Sequence, residues 1–147
     1  MSYRQIVIVL LVLLSCSTNT VFAHKKKPTK KEVTTLSNEA ILLMKEGSYE
    51  KSLIKSRLAL SQAIRLKDNN LIAGSYNTIA ANFDQLSEFD KAFYYYHKGL
   101  TYANKTNNDV LKNWLNNNLG NIYCFDKKQY EKGIYYYKKS LEYSTRI

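Results

Sequence analysis

The chain writes one stretch almost twice, and that repetition limits the folds open to it more than any other feature. Leu119 to Tyr143 reads LGNIYCFDKKQYEKGIYYYKKSLEY, and Ile79 to Ala103 reads IAANFDQLSEFDKAFYYYHKGLTYA. Ile79 aligns with Leu119, Phe83 with Tyr123, Phe89 with Tyr130, and Leu100 with Leu141. The triplet Tyr94, Tyr95, Tyr96 aligns with Tyr135, Tyr136, Tyr137. The offset is 40 residues up to Tyr123 and 41 from Tyr130 on, a slip expected in the loop around Lys127-Lys128. A fainter copy stands further back: Tyr49, Leu53, Leu60 and Ala63 precede Phe89, Phe93, Leu100 and Ala103 by 40 each. Self-similarity at a fixed period of this size marks a solenoid, whose units bury their faces only by stacking on one another.

The rest of the composition agrees with one ordered helical domain. The 147 residues are 45% hydrophobic and 23% charged with a single Pro, a balance that excludes a disordered or low-complexity chain. The net charge of +10 is unevenly placed, since Arg4 and the lysines at 25, 26, 27, 30 and 31 precede the repeats. From Glu32 onward there are 16 basic and 12 acidic residues, so the repeat body is only mildly basic.

Residues 1–23 read as a signal peptide and predict export, to the periplasm or beyond. Arg4 supplies a positive end, Ile6 to Leu14 is an unbroken apolar run, and Val21-Phe22-Ala23 offers small residues for cleavage. As a helix that run rises only about 14 Å, short of a hydrocarbon core of roughly 30 Å. Cleavage after Ala23 is favoured over Leu13-Leu14-Ser15-Cys16, which looks like a bacterial lipobox. Membrane contact is expected only if Cys16 is lipidated. Cys124 is left without a thiol partner in the mature chain in both cases, so no disulfide framework is expected. Residues 24–35, HKKKPTKKEVTT, lack periodicity and read as a basic, solvated linker.

Beyond Leu36 the pattern predicts six helices in three antiparallel hairpins, over about 36–70, 71–108 and 109–147. The expected helices are Leu36 to Glu46, Tyr49 to Leu66, Leu71 to Leu86, Phe89 to Asn104, Asp109 to Phe125 and Gln129 to Arg146. Asparagine-rich breaks separate the hairpins, and Asp109 is the expected N-cap of the fifth helix. Tyr76, Ile79, Ala80 and Phe83 form one stripe at helical spacing. Phe89, Ala92, Phe93, Tyr96, Leu100 and Ala103 form the facing one. Glycine inside a helix costs about 1 kcal/mol relative to alanine, so Gly120 and Gly133 imply close helix approach there.

These residues resemble the tetratricopeptide repeat family, in its longer bacterial variant of about forty residues. The resemblance rests on Leu119-Gly120, Tyr123, Tyr130 and Gly133 in the third copy and on Ile79-Ala80, Phe83, Phe89 and Ala92 in the second. The first copy keeps Ala40, Leu43, Gly47 and Tyr49 but carries Ser52 and Ser56 where a small apolar residue and an aromatic are usual. The implied fold is all-α: an α-solenoid of three helix-turn-helix repeats forming a right-handed superhelix. Its concave groove would be lined by the first helix of each pair. Family groove positions land on Asn77, Ala81 and Gln85, and on Trp114, Asn117, Asn121 and Cys124. Asparagine can donate to and accept from an extended peptide, and Trp114 would be a flat anchor. Alternatively the asparagines are solvated and reflect a composition rich in Asn, and Trp114 covers the start of the third hairpin.

Other chemistry finds little support. In each tyrosine triplet successive residues point about 100° apart on a helix, so only Tyr96 and Tyr137 are expected in the core. Aromatic rings beside His97-Lys98 and Lys138-Lys139 could stack on bases, but an exported protein rarely meets RNA, and no nucleic-acid partner is expected. The two histidines, His24 and His97, form no metal-ligand pair. No phosphate loop or nucleophile motif is present. No enzyme activity and no cofactor are expected. The resemblance implies a scaffold for a protein or peptide partner. Its alternative is the sensory segment of a longer bacterial regulator, with a histidine kinase or DNA-binding output; a secreted pheromone receptor is a variant of the first. The third hairpin is followed by no polar capping helix, which leaves self-association through that end open.

Overall fold

The computed structural model describes residues 27–147; the expected signal peptide and Cys16 lie outside them. The described chain folds into helices α1 (Lys30–Lys45), α2 (Tyr49–Leu66), α3 (Asn69–Gln85), α4 (Phe89–Ala103), α5 (Asp109–Asn121) and α6 (Tyr130–Ser144). A π-helical turn, Ile122–Asp126, prolongs α5. Consecutive helices pack as the hairpins α1/α2, α3/α4 and α5/α6, and the hairpins stack in order as an all-α solenoid. Among the described residues no β-strand occurs.

The first helix begins six residues before its expected start, which corrects the linker over 24–35. Thr29 and Glu32 close a capping box: the Glu32 amide donates to Thr29 Oγ1 at 3.2 Å and the Thr29 amide to Glu32 Oε2 at 2.7 Å. The motif T-x-x-E was in the sequence, hidden inside the lysine run. Burial secures the added turn, because Val33 is fully buried in a cluster with Ala59, Ala63 and Ile72. Lys30 Nζ also lies 2.6 Å from Asp68 Oδ2 at the start of α3. Asp68 caps α3 by accepting from the amides of Asn70 and Leu71, and the Lys30 contact holds its carboxyl below the usual carboxylate range. The cap of α5 is Asn108 rather than Asp109, its Oδ1 accepting from the Leu111 amide at 3.0 Å. Asp109 occupies the first turn instead and pairs with Lys112.

The stripes meet as expected, with differences set by position in the stack. Ile79, Ala80, Phe83, Ala92, Tyr96 and Ala103 are buried together with Leu111, Leu115 and Leu119 of the next hairpin. Phe93 and Leu100 pack against this core from its edge, while Phe89 and its counterpart Tyr130 stay on the surface. Tyr96 is buried, and Tyr137 is half-buried. The middle tyrosines stack within their hairpins, Tyr95 on Phe83 at 5.5 Å and Tyr136 on Tyr123 at 5.2 Å between ring centroids.

The extra residue of the third repeat is accommodated in the helix, not in the loop. Gly47, Ser87 and Lys128 all take positive φ and so mark equivalent turn positions, 40 and then 41 residues apart. The slip therefore occurs before Lys128. In the second repeat the Glu88 amide reaches back to Phe83 O; in the third, the Gln129 amide reaches one residue further, to Tyr123 O, both at 2.8 Å. Between them Lys127 N donates to Ile122 O, the i→i−5 bond of a π turn, the usual way a helix absorbs an inserted residue.

The first hairpin carries a hydrogen-bonding serine, Ser52, where the next repeat has the small apolar Ala92. Ser52 is fully buried, donates to Ala40 O at 2.7 Å, and accepts from Asn82 Nδ2 at 2.8 Å. This polar relay ties α1, α2 and α3 together without large side chains, and a buried hydroxyl satisfied in both directions costs little to bury.

Candidate protein-binding groove

Along the stack the first helices approach one another, α1 on α3 and α3 on α5, whereas successive second helices make no comparable approach. The first helices therefore line the inner side and the second helices the outer side. The residues expected in the groove lie on α3 and α5, and the structure divides them into two groups.

Gln85, Trp114 and Asn117 are exposed, Trp114 to 56%. Their side chains are available to a ligand. Asn77, Ala81 and Asn121 are half-buried. Asn77 Oδ1 faces Asn118 Nδ2 across the α3/α5 junction at 3.4 Å, and Asn121 Oδ1 accepts from the Tyr137 hydroxyl at 2.7 Å. Asn121 thus braces α5 against α6 before it can serve a ligand. Cys124 turns away as well, because its Sγ fills the space beside Gly133. Asn118 escaped the sequence reading: the forty-residue period carries Asn77 onto Asn117, whereas the structure sets Asn77 opposite its neighbour.

Along α3 and α5 the groove is nearly free of charge, while on α1 exposed Lys45 stands at the position equivalent to Gln85. In α3 the sole ionisable acid is Asp84, which accepts from the Tyr96 hydroxyl at 3.3 Å and whose carboxyl burial pushes above the usual range. On α5, Asp109 and Lys112 pair with each other at 3.1 Å. What remains is amide donors and acceptors, the open backbone at Gly74, where an added Cβ would meet nothing within 4 Å, and one indole. Such a surface can hold a polar, extended backbone and a flat apolar side chain. Among the described residues no cluster of three or more His, Cys, Asp or Glu is placed to hold a metal ion, and no helix is long and apolar enough to cross a membrane.

No protein-family model matches the sequence, and no curated protein matches it. Solved structures do. The TPR domain of Arabidopsis FLU superposes with a TM-score of 0.71 over 82% of this chain and 100% of that one, at 17% identity. BtubC (BKLC) from P. vanneervenii superposes with a TM-score of 0.66 at 28% identity, over 80% of this chain. The present chain spans 47% of BtubC. The fold is TPR-like.

Proposed function

We propose that this protein is an exported repeat scaffold whose inner groove holds a peptide or an extended segment of a partner protein. The TPR-like fold supports a binding role, and the observation that carries it is a groove with little charge along α3 and α5 that leaves Trp114, Asn117 and Gln85 exposed. The composition of residues 1–23 supports export. Recognition along α3 and α5 would select a partner by backbone hydrogen bonding and one apolar anchor.

Trp114 is the single tryptophan, so its emission reports on the groove directly. Peptides selected from a displayed library are titrated against the protein; binding is expected to shift the emission to shorter wavelength as the indole leaves water. Trp114→Ala removes a central aromatic anchor and is expected to weaken binding by about 30-fold or more. Asn117→Ala removes about one hydrogen bond, roughly 5-fold, with an unchanged melting curve. Selected peptides that leave the emission unmoved and bind both variants normally would place the binding surface elsewhere.

A further inference from the structure

The outer face carries an ordered chemistry that the groove does not use. Because the second helices start at equivalent positions, outward residues fall into rows across α2, α4 and α6. In the first turn, Glu50, Asp90 and Glu131 form an acidic row beside the lysine row Lys51, Lys91 and Lys132, so these rows cancel. Carboxylates there suit helix N-termini. Past the first turn the balance changes. Arg57 and Lys138 share one row with His97, Lys98 and Lys139 share the next with Leu58, and Arg65, Lys105 and Arg146 form the last. Glu142 is the only acid on this line, where it pairs with Lys139 and Arg146. Between the basic rows stand exposed apolar side chains at one equivalent position, Ile54 at 68%, Tyr94 at 54% and Tyr135 at 56%, with Leu58 at 45%.

The rows belong to one surface. Lys98 Nζ lies 5.4 Å from the Tyr94 ring centroid, and a furrow of about 420 Å³ between α2 and α4 joins Arg57 to the offsetting pair Asp90 and Lys91 and to Tyr94 and Tyr95. A second furrow, between α4 and α6, joins Leu100 and Asn104 to Tyr135 and Lys139. The net positive charge of the repeat body thus sits mainly on the outer helices, while α3 and α5 on the inner side carry almost none.

We infer that the outer face docks on an anionic lipid surface, with the basic rows at the headgroups and Ile54, Leu58, Tyr94 and Tyr135 at the headgroup–acyl boundary. The mixture decides the partner. Lysine and arginine among tyrosines and aliphatics suit a bilayer interface, where rings and alkyl chains enter and cations stay at the phosphates. Single-stranded nucleic acid fits worse: Ile54 and Leu58 cannot stack on bases, the Lys98 ammonium stands over the Tyr94 ring, and Tyr94 and Tyr135 meet Tyr95 and Tyr136 edge to face. Docking by this face leaves the groove open to the opposite side. It requires no lipidation at Cys16 and does not depend on what the groove binds.

The test uses the full chain and vesicles of phosphatidylglycerol mixed with phosphatidylcholine, with phosphatidylcholine alone as control. An environment-sensitive dye on Tyr94→Cys, with Cys16→Ser and Cys124→Ser, is expected to enter a less polar medium on the anionic vesicles only. The same dye on Gln85→Cys, at the groove, is expected to stay in water. Because each basic residue near a charged surface contributes about fivefold, the triple change Arg57→Glu, Lys98→Glu, Lys138→Glu is expected to weaken sedimentation with vesicles at least about a hundredfold. Added salt should weaken it too. These three side chains are exposed, so the melting temperature should hold. Sedimentation without a dye response at position 94 would mean that the leader alone attaches the chain, and would overturn the inference. So would equal binding to phosphatidylcholine, or an oligonucleotide that binds more tightly than the vesicles and displaces them.

Discussion

Gly133→Ala tests the close approach of α5 and α6, on which the third repeat depends. A Cβ at Gly133 would stand 2.1 Å from Cys124 Sγ, 3.2 Å from Gly120 O and 3.3 Å from Cys124 N. The thiol can swing aside by one torsion. The two backbone atoms cannot, so the helices must part by a few tenths of an ångström. Overpacking of this kind costs about 1–3 kcal/mol, while replacing a helical glycine by alanine returns about 1 kcal/mol. The expected net loss is up to about 2 kcal/mol in urea unfolding, and each kcal/mol lowers the melting temperature by roughly 3–6 °C in a domain of this size. Gly133→Leu should cost considerably more. Cys124→Ala removes the nearest clash, so the cycle of single and double variants should show a favourable coupling of about 1 kcal/mol. A Gly133→Ala protein that melts at or above the parent, with no coupling to Cys124, would refute the packing described here.

Further outcomes follow from the turns, the polar relay and the half-buried imidazole. Ser87 and Lys128 occupy left-handed backbone, with φ of 58° and 54°, so Ser87→Gly and Lys128→Gly should each stabilise by about 0.5–1 kcal/mol in chemical denaturation. Ser52→Ala removes the hydroxyl donor to the Ala40 carbonyl and one acceptor of Asn82, and should cost about 1–2 kcal/mol. His97 packs against Phe93, Tyr123 and Tyr136 with Nε2 buried and unpartnered, and burial lowers its pKa. The unfolded chain therefore takes up a proton first as pH falls. Stability from this site is complete above the ordinary imidazole value of about 6.5 and declines below it. His97→Phe should flatten that part of the stability–pH curve; an unchanged slope would assign it to another group.

The groove was partly legible in advance. Family positions pointed to Trp114, Asn117 and Gln85, and the structure leaves all three exposed, because the face of a helix follows from its period. They could not distinguish an asparagine free for a ligand from one already engaged. Asn121 and Asn117 are alike in type and lie one turn apart, yet only Asn121 meets the Tyr137 hydroxyl. The linker was misjudged for a related reason: its lysines mask a capping box, and the buried cluster that rewards helix formation at Val33 lies more than twenty residues away in α2 and α3.

What local pattern and recurrence determine on their own is the solenoid: aromatic and small residues at helical spacing, written again after a fixed interval, leave stacked hairpins as the arrangement that buries them. The tertiary structure alone decided where the forty-first residue goes, which amides are engaged, and that the charge falls on the outer helices. Those outcomes depend on distances between side chains far apart in the chain, and a period read along one strand of sequence carries no information about them.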